Sequence, residues 1–244
     1  MSGHSKWAKL KHSKPTIDAK KSKSFSKYSN IIATAAKQGG NPDPKLNPYL
    51  KEAIDKARQV NMPQDNIERA IKRGLGLIPG VVFEELTIEA FGPEGIALLI
   101  QAATDNKNRT IPGIRKILSD FGGSIAGPGS VQRLFQEFVK FELKKEHWFK
   151  NPGLELELIE AGAEEIFSED DPVIVLCHKN SSGKLKKVFN NKSLDFESEM
   201  EYLPSNPVEV KNKEMAGKTN DLIEALESRD DVNAVYANAN LEQS

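Results

Sequence analysis

The sequence has little cysteine, no long apolar run and few aromatic residues. Its single cysteine, Cys177, has no partner for an intrachain disulfide in these 244 residues, which is typical of a protein from a reducing compartment. No apolar stretch approaches the roughly 20 residues of a membrane-spanning helix. Residues 1–30 lack both the apolar segment of a secretory signal and the arginines of a mitochondrial presequence. These absences predict a cytoplasmic protein without a membrane partner.

The formal net charge of -1 is a cancellation between two unlike segments. Residues 1–75 contain 16 Lys and Arg against 6 Asp and Glu, a net of +10, and the remaining residues carry a net of -11. Such asymmetry is typical of a basic module that binds an acidic partner, most commonly nucleic acid or an anionic membrane.

Apolar spacing in the basic segment predicts a small helical bundle over residues 1–75. A helix capped by Thr16 or Asp18 is expected to run to about Lys37, and two more should begin near Pro48 and Pro63. In the first helix an apolar stripe recurs at helical spacing, with the lysines about 140° away around the axis. The stripe consists of Phe25, Tyr28, Ile32 and Ala35.

The rest of the chain predicts an α+β fold with two α/β sandwich-like domains, the third domain inserted into the second. Residues 80–130 and 206–244 should form one domain, in which a β-hairpin, a helix capped by Thr110, a later helix and a last strand share one sheet. Residues 131–205 should form the inserted domain, with its own cycle of strands and helices.

The sequence offers no convincing catalytic or metal-binding constellation. The four histidines are scattered, without zinc-ligand spacing, and Cys177 lies in an apolar run typical of a buried strand. The glycines after residue 121 follow a helix, which favours a helix stop over a phosphate loop. The acidic runs at 164–165 and 169–171 are interpreted as a solvated surface around a turn. We therefore predict no enzyme activity, no cofactor and no small-molecule substrate.

The polar string from Thr104 to Thr110 permits two interpretations. It is either a hydrogen-bonded turn and helix cap or an anion site in which Arg109 contacts a phosphate. An enzyme that uses this turn is the alternative from another functional class.

The strongest physical signal is a run of lysines in the first 28 residues, opposed only by Asp18. Lysines bind phosphates and release counterions, and Trp7 offers a ring for stacking on a base. A lysine arm with no base-reading side chains at recognition-helix spacing predicts contacts with backbone and shape, and modest sequence specificity. The predicted nucleic-acid contacts here are Lys6, Trp7, Lys9, Lys11, His12, Lys14, Lys20, Lys21, Lys23 and Lys27.

The amino-terminal residues Gly3 to Trp7, with Lys11, His12 and Lys14, closely resemble the YebC/PmpR family. The similarity continues in order through Asn61-Met62-Pro63, residues 67–71, residues 104–110, the glycine pair at 122–123, residues 161–164 and Asp230-Asp231-Val232. The stretch 140–152 departs from the family's usual short glycine turn.

This resemblance implies a helical first domain followed by two α/β domains, the third inserted into the second. It also implies a non-enzymatic regulator of gene expression, either a DNA-binding transcriptional regulator or a translation factor that binds ribosomal RNA on the ribosome. Carried over by position, it implies that Arg69, Lys72 and Arg73 extend the surface formed by the arm lysines and Trp7.

Overall fold

The computed structural model describes residues 25–210 and 212–240, which divide into two compact units. The main unit comprises residues 25–132 together with 208–240, and the inserted unit comprises residues 133–207. The domain bounds expected from the sequence, 1–75, 80–130 with 206–244, and 131–205, stay predictions.

Three helices begin the main unit. They are α1 (Phe25–Gly39), α2 (Pro48–Gln59) and α3 (Gln64–Gly74). Asn47 fixes the start of α2, because its buried side chain accepts from the Leu50 N–H and donates to the carbonyls of Ala35 and Asn41. One side chain thus satisfies the helix end and ties it to α1. The shared core of the three helices includes Ile32, Leu50, Ile54, Ile67 and Ala70.

The predicted stripe on the first helix is only partly correct. Ile32 and Ala35 are buried as expected, but Phe25 keeps 44% of its surface exposed. Ala33 and Ala36 are buried in its place, because α1 contacts both α3 and the neighbouring sheet. The predicted caps Thr16 and Asp18 lie outside the described residues.

The main unit's sheet has four strands, namely β1 (Glu84–Phe91), β2 (Ala97–Thr104), β3 (Ser124–Ile125) and β9 (Val232–Ala237). Their order across the sheet is β3-β1-β2-β9. All neighbours are antiparallel, and the hairpin pairs Glu84 with Thr104 and Phe91 with Ala97. Helices α4 (Lys107–Asp120) and α8 (Lys213–Glu227) pack on this sheet through Ile114, Leu118, Leu222 and Leu226. A short parallel pair, β8 (Val208–Glu209) with β10 (Ala239–Asn240), completes the unit.

Thr110 does not cap α4, contrary to the sequence prediction. Asn106 is the cap, since its side chain accepts from the Arg109 N–H at 3.1 Å. Thr110 lies one turn inside the helix with its hydroxyl buried, 3.0 Å from the Thr104 hydroxyl and 2.7 Å from an oxygen of Asp231. A tertiary contact therefore uses the hydroxyl that the sequence suggested for capping.

The inserted unit is a second antiparallel sheet with helices beside it. Its elements are β4 (Phe135–Leu143), α5 (Lys145–Phe149), α6 (Leu154–Ala161), β5 (Ala163–Phe167), β6 (Val173–His178), α7 (Ser182–Asn191) and β7 (Phe196–Pro204). The strand order is β5-β6-β4-β7, and the core is built around Phe141, Leu158, Val175 and Phe189.

Strand β5 and helix α5 were not predicted from the sequence. The acidic pair Glu164-Glu165 lies within β5 and not around a turn, which corrects that part of the prediction. The run at 169–171 does occupy a turn. Helices combined with antiparallel sheets confirm the predicted α+β class.

A buried carboxylate holds the end of the main-unit sheet. Glu89 on β1 accepts hydrogen bonds from the backbone N–H groups of Gly129, Val131 and Gln132 at 2.5, 2.6 and 2.8 Å. Burial acts to raise the pKa of Glu89, but the three N–H donors outweigh it and hold the pKa below its ordinary value of 4.5. The ionised carboxylate therefore stabilises the segment that leads into the inserted unit.

Replacing Glu89 with Gln should lower the free energy of unfolding by about 2 kcal/mol at neutral pH, because an amide oxygen is a weaker acceptor than a carboxylate. Since the folded pKa is depressed, the wild-type contribution is complete above pH 4.5 and is lost as pH falls through the folded value. Urea unfolding measured from pH 7 to pH 3 should show a weaker pH dependence in E89Q, and exchange of the Gly129 and Val131 amides should accelerate. Unchanged exchange at these amides would contradict the role of Glu89.

Gly74 permits the close approach of α3 to α1. A Cβ atom at this position would stand well inside van der Waals distance of the Ala33 backbone, which is part of a helix and cannot move aside. We expect Gly74→Ala to destabilise the protein by about 3 kcal/mol. Gly217→Ala is the control, because nothing lies within 4 Å of its added methyl group and alanine favours the helix. Thermal melts of both variants test this difference.

Candidate nucleic-acid interface

The structure describes five of the predicted nucleic-acid contacts, and all five belong to the main unit. They are Lys27, Arg69, Lys72, Arg73 and Arg109. The others lie outside the described residues: Lys6, Trp7, Lys9, Lys11, His12, Lys14, Lys20, Lys21 and Lys23.

Helix α3 places its basic residues in its last two turns. Arg69, Lys72 and Arg73 are three and four residues apart, so they share one side of the helix, while Ile67 and Ala70 are buried on the other. Cations at this end also complement the helix dipole. Arg69 and Lys72 are exposed and available to an external anion.

Arg73 is instead half-buried and bonded within the protein. Its guanidinium donates to Asn30 Oδ1 at 2.6 Å and to Ser29 Oγ at 3.1 Å, and lies 5.1 Å from the centre of the Phe83 ring. It also pairs with Asp105 at 3.5 Å. Burial lowers the pKa of Arg73 below its ordinary value, against the opposing effect of the Asp105 carboxylate. Arg73 therefore joins α1 and α3 to the turn after β2.

Asp105 lies between two guanidiniums. Besides Arg73, it contacts Arg109 in the first turn of α4 at 3.7 Å. The Arg109 side chain is 68% exposed, so this second ion pair is weak. The turn thus has the geometry of a helix cap and also directs one arginine toward solvent. Its proposed use as a phosphate contact stays a prediction.

The residues after α8 contact the same region of the main unit. Arg229 donates to both oxygens of Asp231 at 2.8 and 2.7 Å, and the Asn30 amide donates to the Asp230 carbonyl at 2.7 Å. Burial acts to raise the pKa of Asp231, but hydrogen bonds from Arg229 and Thr110 lower it below its ordinary value. Lys27 donates to the carbonyl of Glu227, so its ammonium is engaged within the protein.

These walls enclose an open groove of about 720 Å³ in the main unit. The fold therefore brings together three residues named from the sequence, Arg69, Arg73 and Arg109, and leaves Lys72 outside the groove lining. The groove residues that sequence reasoning did not assign to a site include Phe25, Asn30, Asn66, Arg229, Asp230 and Asp231. Of these, Phe25 and the Asp230-Asp231 pair carried a signal, as parts of the family resemblance.

Elsewhere in the described residues, Cys177 is buried in the inserted unit. Burial raises the pKa of the Cys177 thiol to about 11, which disfavours the reactive thiolate. Among residues 25–210 and 212–240, no three His, Cys, Asp or Glu side chains form a group able to hold a metal ion. Within the same ranges, no helix is both long and apolar enough to cross a membrane.

Comparison with known proteins covers nearly the whole chain. Residues 5–77 match the family described as TACO1/YebC protein N-terminal domain, and residues 83–239 match TACO1/YebC second and third domain. A crystal structure of a conserved hypothetical protein from Aquifex aeolicus has a TM-score of 0.72 and 34% identity, and the match covers 96% of each chain.

Several relatives share the name probable transcriptional regulatory protein. One from Dictyoglomus turgidum is 43% identical over 98% of this chain and 95% of its own length. Another from Pseudothermotoga lettingae is 41% identical over 100% and 96%, and one from Leptospira biflexa is 43% identical over 99% and 97%. The resemblance inferred from the amino-terminal residues is thereby confirmed: the chain belongs to the TACO1/YebC family.

Proposed function

We propose that this protein is a non-enzymatic regulator of gene expression that binds DNA and controls transcription. The observation that carries the proposal is the net charge of +10 on residues 1–75, joined to a remainder of -11. Relatives of more than 40% identity are named probable transcriptional regulatory proteins, which supports the same function.

The basic arm and the exposed end of α3 supply the contacts in this proposal. Lysine ammonium groups bind phosphates as point charges and release counterions, which gives affinity with little dependence on sequence. Trp7 and His12 add stacking and hydrogen bonding beside the arm lysines. The acidic remainder repels phosphate and confines docking largely to the first 75 residues.

Ribosomal RNA is the second candidate target, because the composition of the arm suits RNA as well as DNA. The arm holds lysines without the arginine, asparagine or glutamine side chains that read base edges in the major groove. Phosphate contacts of this kind serve an RNA surface as well as a DNA duplex. A translation factor on the ribosome would use the same residues.

Replacing Lys6, Lys9, Lys11 and Lys14 with Gln tests the arm. Each lost phosphate contact lowers the slope of log K against log salt by about 0.9 on duplex DNA, so the slope should flatten by about 3 to 4. Anisotropy titrations with labelled duplexes from 50 to 200 mM salt measure it. The matched control replaces the exposed Lys144, Lys150, Lys184 and Lys187 of the inserted unit with Gln. Equal slopes for both variants would contradict the proposal.

Crosslinking in cells, followed by sequencing of the recovered nucleic acid, identifies the target. A DNA-binding regulator should yield discrete genomic sites, and the four-lysine arm variant should lose them. A footprint on ribosomal RNA with no genomic sites would overturn the transcriptional proposal in favour of the translational one.

A further inference from the structure

The groove in the main unit has an uneven distribution of charge. Arg69, Arg73 and Arg109 line the groove together with Asp105, which pairs with Arg73 and Arg109, so this group has two more positive charges than negative ones. Arg229 and Asp231, also in the lining, neutralise each other through two hydrogen bonds, beside the exposed Asp230. An anion is therefore favoured at the group of Arg69, Arg73 and Arg109.

These three arginines are not saturated by internal partners. Arg69 is exposed and has no carboxylate within ion-pair distance among the residues that the structure describes, while Arg109 keeps most of its surface in solvent. Besides burial, the charges of Arg69 and Arg109 lower the pKa of Arg73, so each of these two guanidiniums is near enough to repel that of Arg73. A bound phosphate would relieve this repulsion and accept their planar N–H donors.

Next to this charge the groove has surfaces suited to a flat ring. Phe25 exposes 44% of its surface at the groove, although the sequence placed it in a buried stripe. Met62, Ile78 and Val81 add apolar lining, and the amide of Asn66 adds polar groups. An exposed aromatic ring beside arginines is the combination that binds unpaired bases.

The dimensions exclude the interior of a duplex. A volume of about 720 Å³ lies within the range of clefts that hold small organic ligands, roughly 300 to 1,000 Å³, and suits one or two nucleotides. A paired base inside a double helix has no face free to lie against Phe25. The occupant must present a phosphate and an unstacked base together.

We propose that this groove binds an unpaired nucleotide of a single-stranded nucleic acid, with its phosphate on Arg69 and Arg109 and its base against Phe25. The inference rests on the proposed nucleic-acid-binding function and adds a second mode of contact to it. The lysine arm binds backbone of any structure, whereas the groove selects strands with an exposed base. A free nucleotide shares the same chemistry and is separated from the strand by experiment.

The test measures binding of labelled single strands of about 12 nucleotides, as RNA and as DNA, and of a duplex of the same sequence. Arg69→Gln with Arg109→Gln should weaken single-strand binding at least ten-fold and flatten its salt slope by about 1.4, the loss of two phosphate contacts. Duplex binding should lose only the Arg69 contact, which flattens its slope by about 0.9, and Arg109→Gln alone should leave duplex binding as in the wild type. Lys51→Gln with Arg58→Gln is the control, because it removes two exposed charges from α2 outside the groove lining.

Phe25 provides an independent readout. Phe25→Leu should weaken single-strand binding about ten-fold without changing the salt slope, because it removes the ring and no charge. Phe25→Trp should retain binding, because it keeps an aromatic ring. Melting temperatures check that each variant folds. Adenosine monophosphate, added as competitor, should displace the strand only at concentrations far above the strand's Kd.

The outcomes separate the inference from the proposed function. If the arm variant loses binding while the groove variants bind single strands as the wild type does, the groove is not a nucleotide site and the general function stands. If the monophosphate binds as tightly as the strand, the site is for a free nucleotide and the inference is wrong. If neither the arm variant nor the groove variants lose binding, both proposals fail.

Discussion

The half-buried guanidinium of Arg73 is the contact on which the arrangement of the main unit depends. A charge removed from water needs partners that replace its hydration. Arg73 finds them on three separate elements: Asn30 on α1, Asp105 after β2, and the ring of Phe83 before β1. Because Arg73 itself is on α3, these contacts of one side chain hold the helices against the sheet. The walls of the groove follow from that placement.

Asp105 has a second consequence for the surface. One carboxylate shared by two arginines cannot neutralise both, so positive charge remains where the helices meet the sheet. The Arg229–Asp231 pair in the same groove is internally matched, and its carboxylate is further held by Thr110. Structural pairing thus accounts for the charge of Arg229 and leaves Arg69 and Arg109 with charge that these ion pairs do not neutralise.

Local patterns predicted the elements well, whereas contacts between distant residues decided what the patterns missed. Alternation in residues 86–90, the turn at 92–95 and the apolar run at 96–103 predicted the hairpin, because its two strands are close in sequence. Thr110 is not available as the cap because its hydroxyl bonds to Asp231, which lies 121 residues after it in the chain. Strand β5 is short, half-buried and offset against β6, so it has little alternation to detect. The groove draws on residues from Phe25 to Asp231, and no spacing rule connects them.

The two basic surfaces of the proposed interface differ in chemistry as well as in position. Lysines hold flexible, strongly hydrated point charges that tolerate many phosphate geometries, which suits an arm whose contacts do not depend on sequence. Arginines present planar donors in a fixed fork, here from the first turn of α4 for Arg109 and from α3 for Arg69. A planar donor beside an exposed ring can discriminate between paired and unpaired bases, and an ammonium point charge cannot. In the proposed complex the arm therefore supplies affinity and association rate, and the groove supplies selection of the strand's structure.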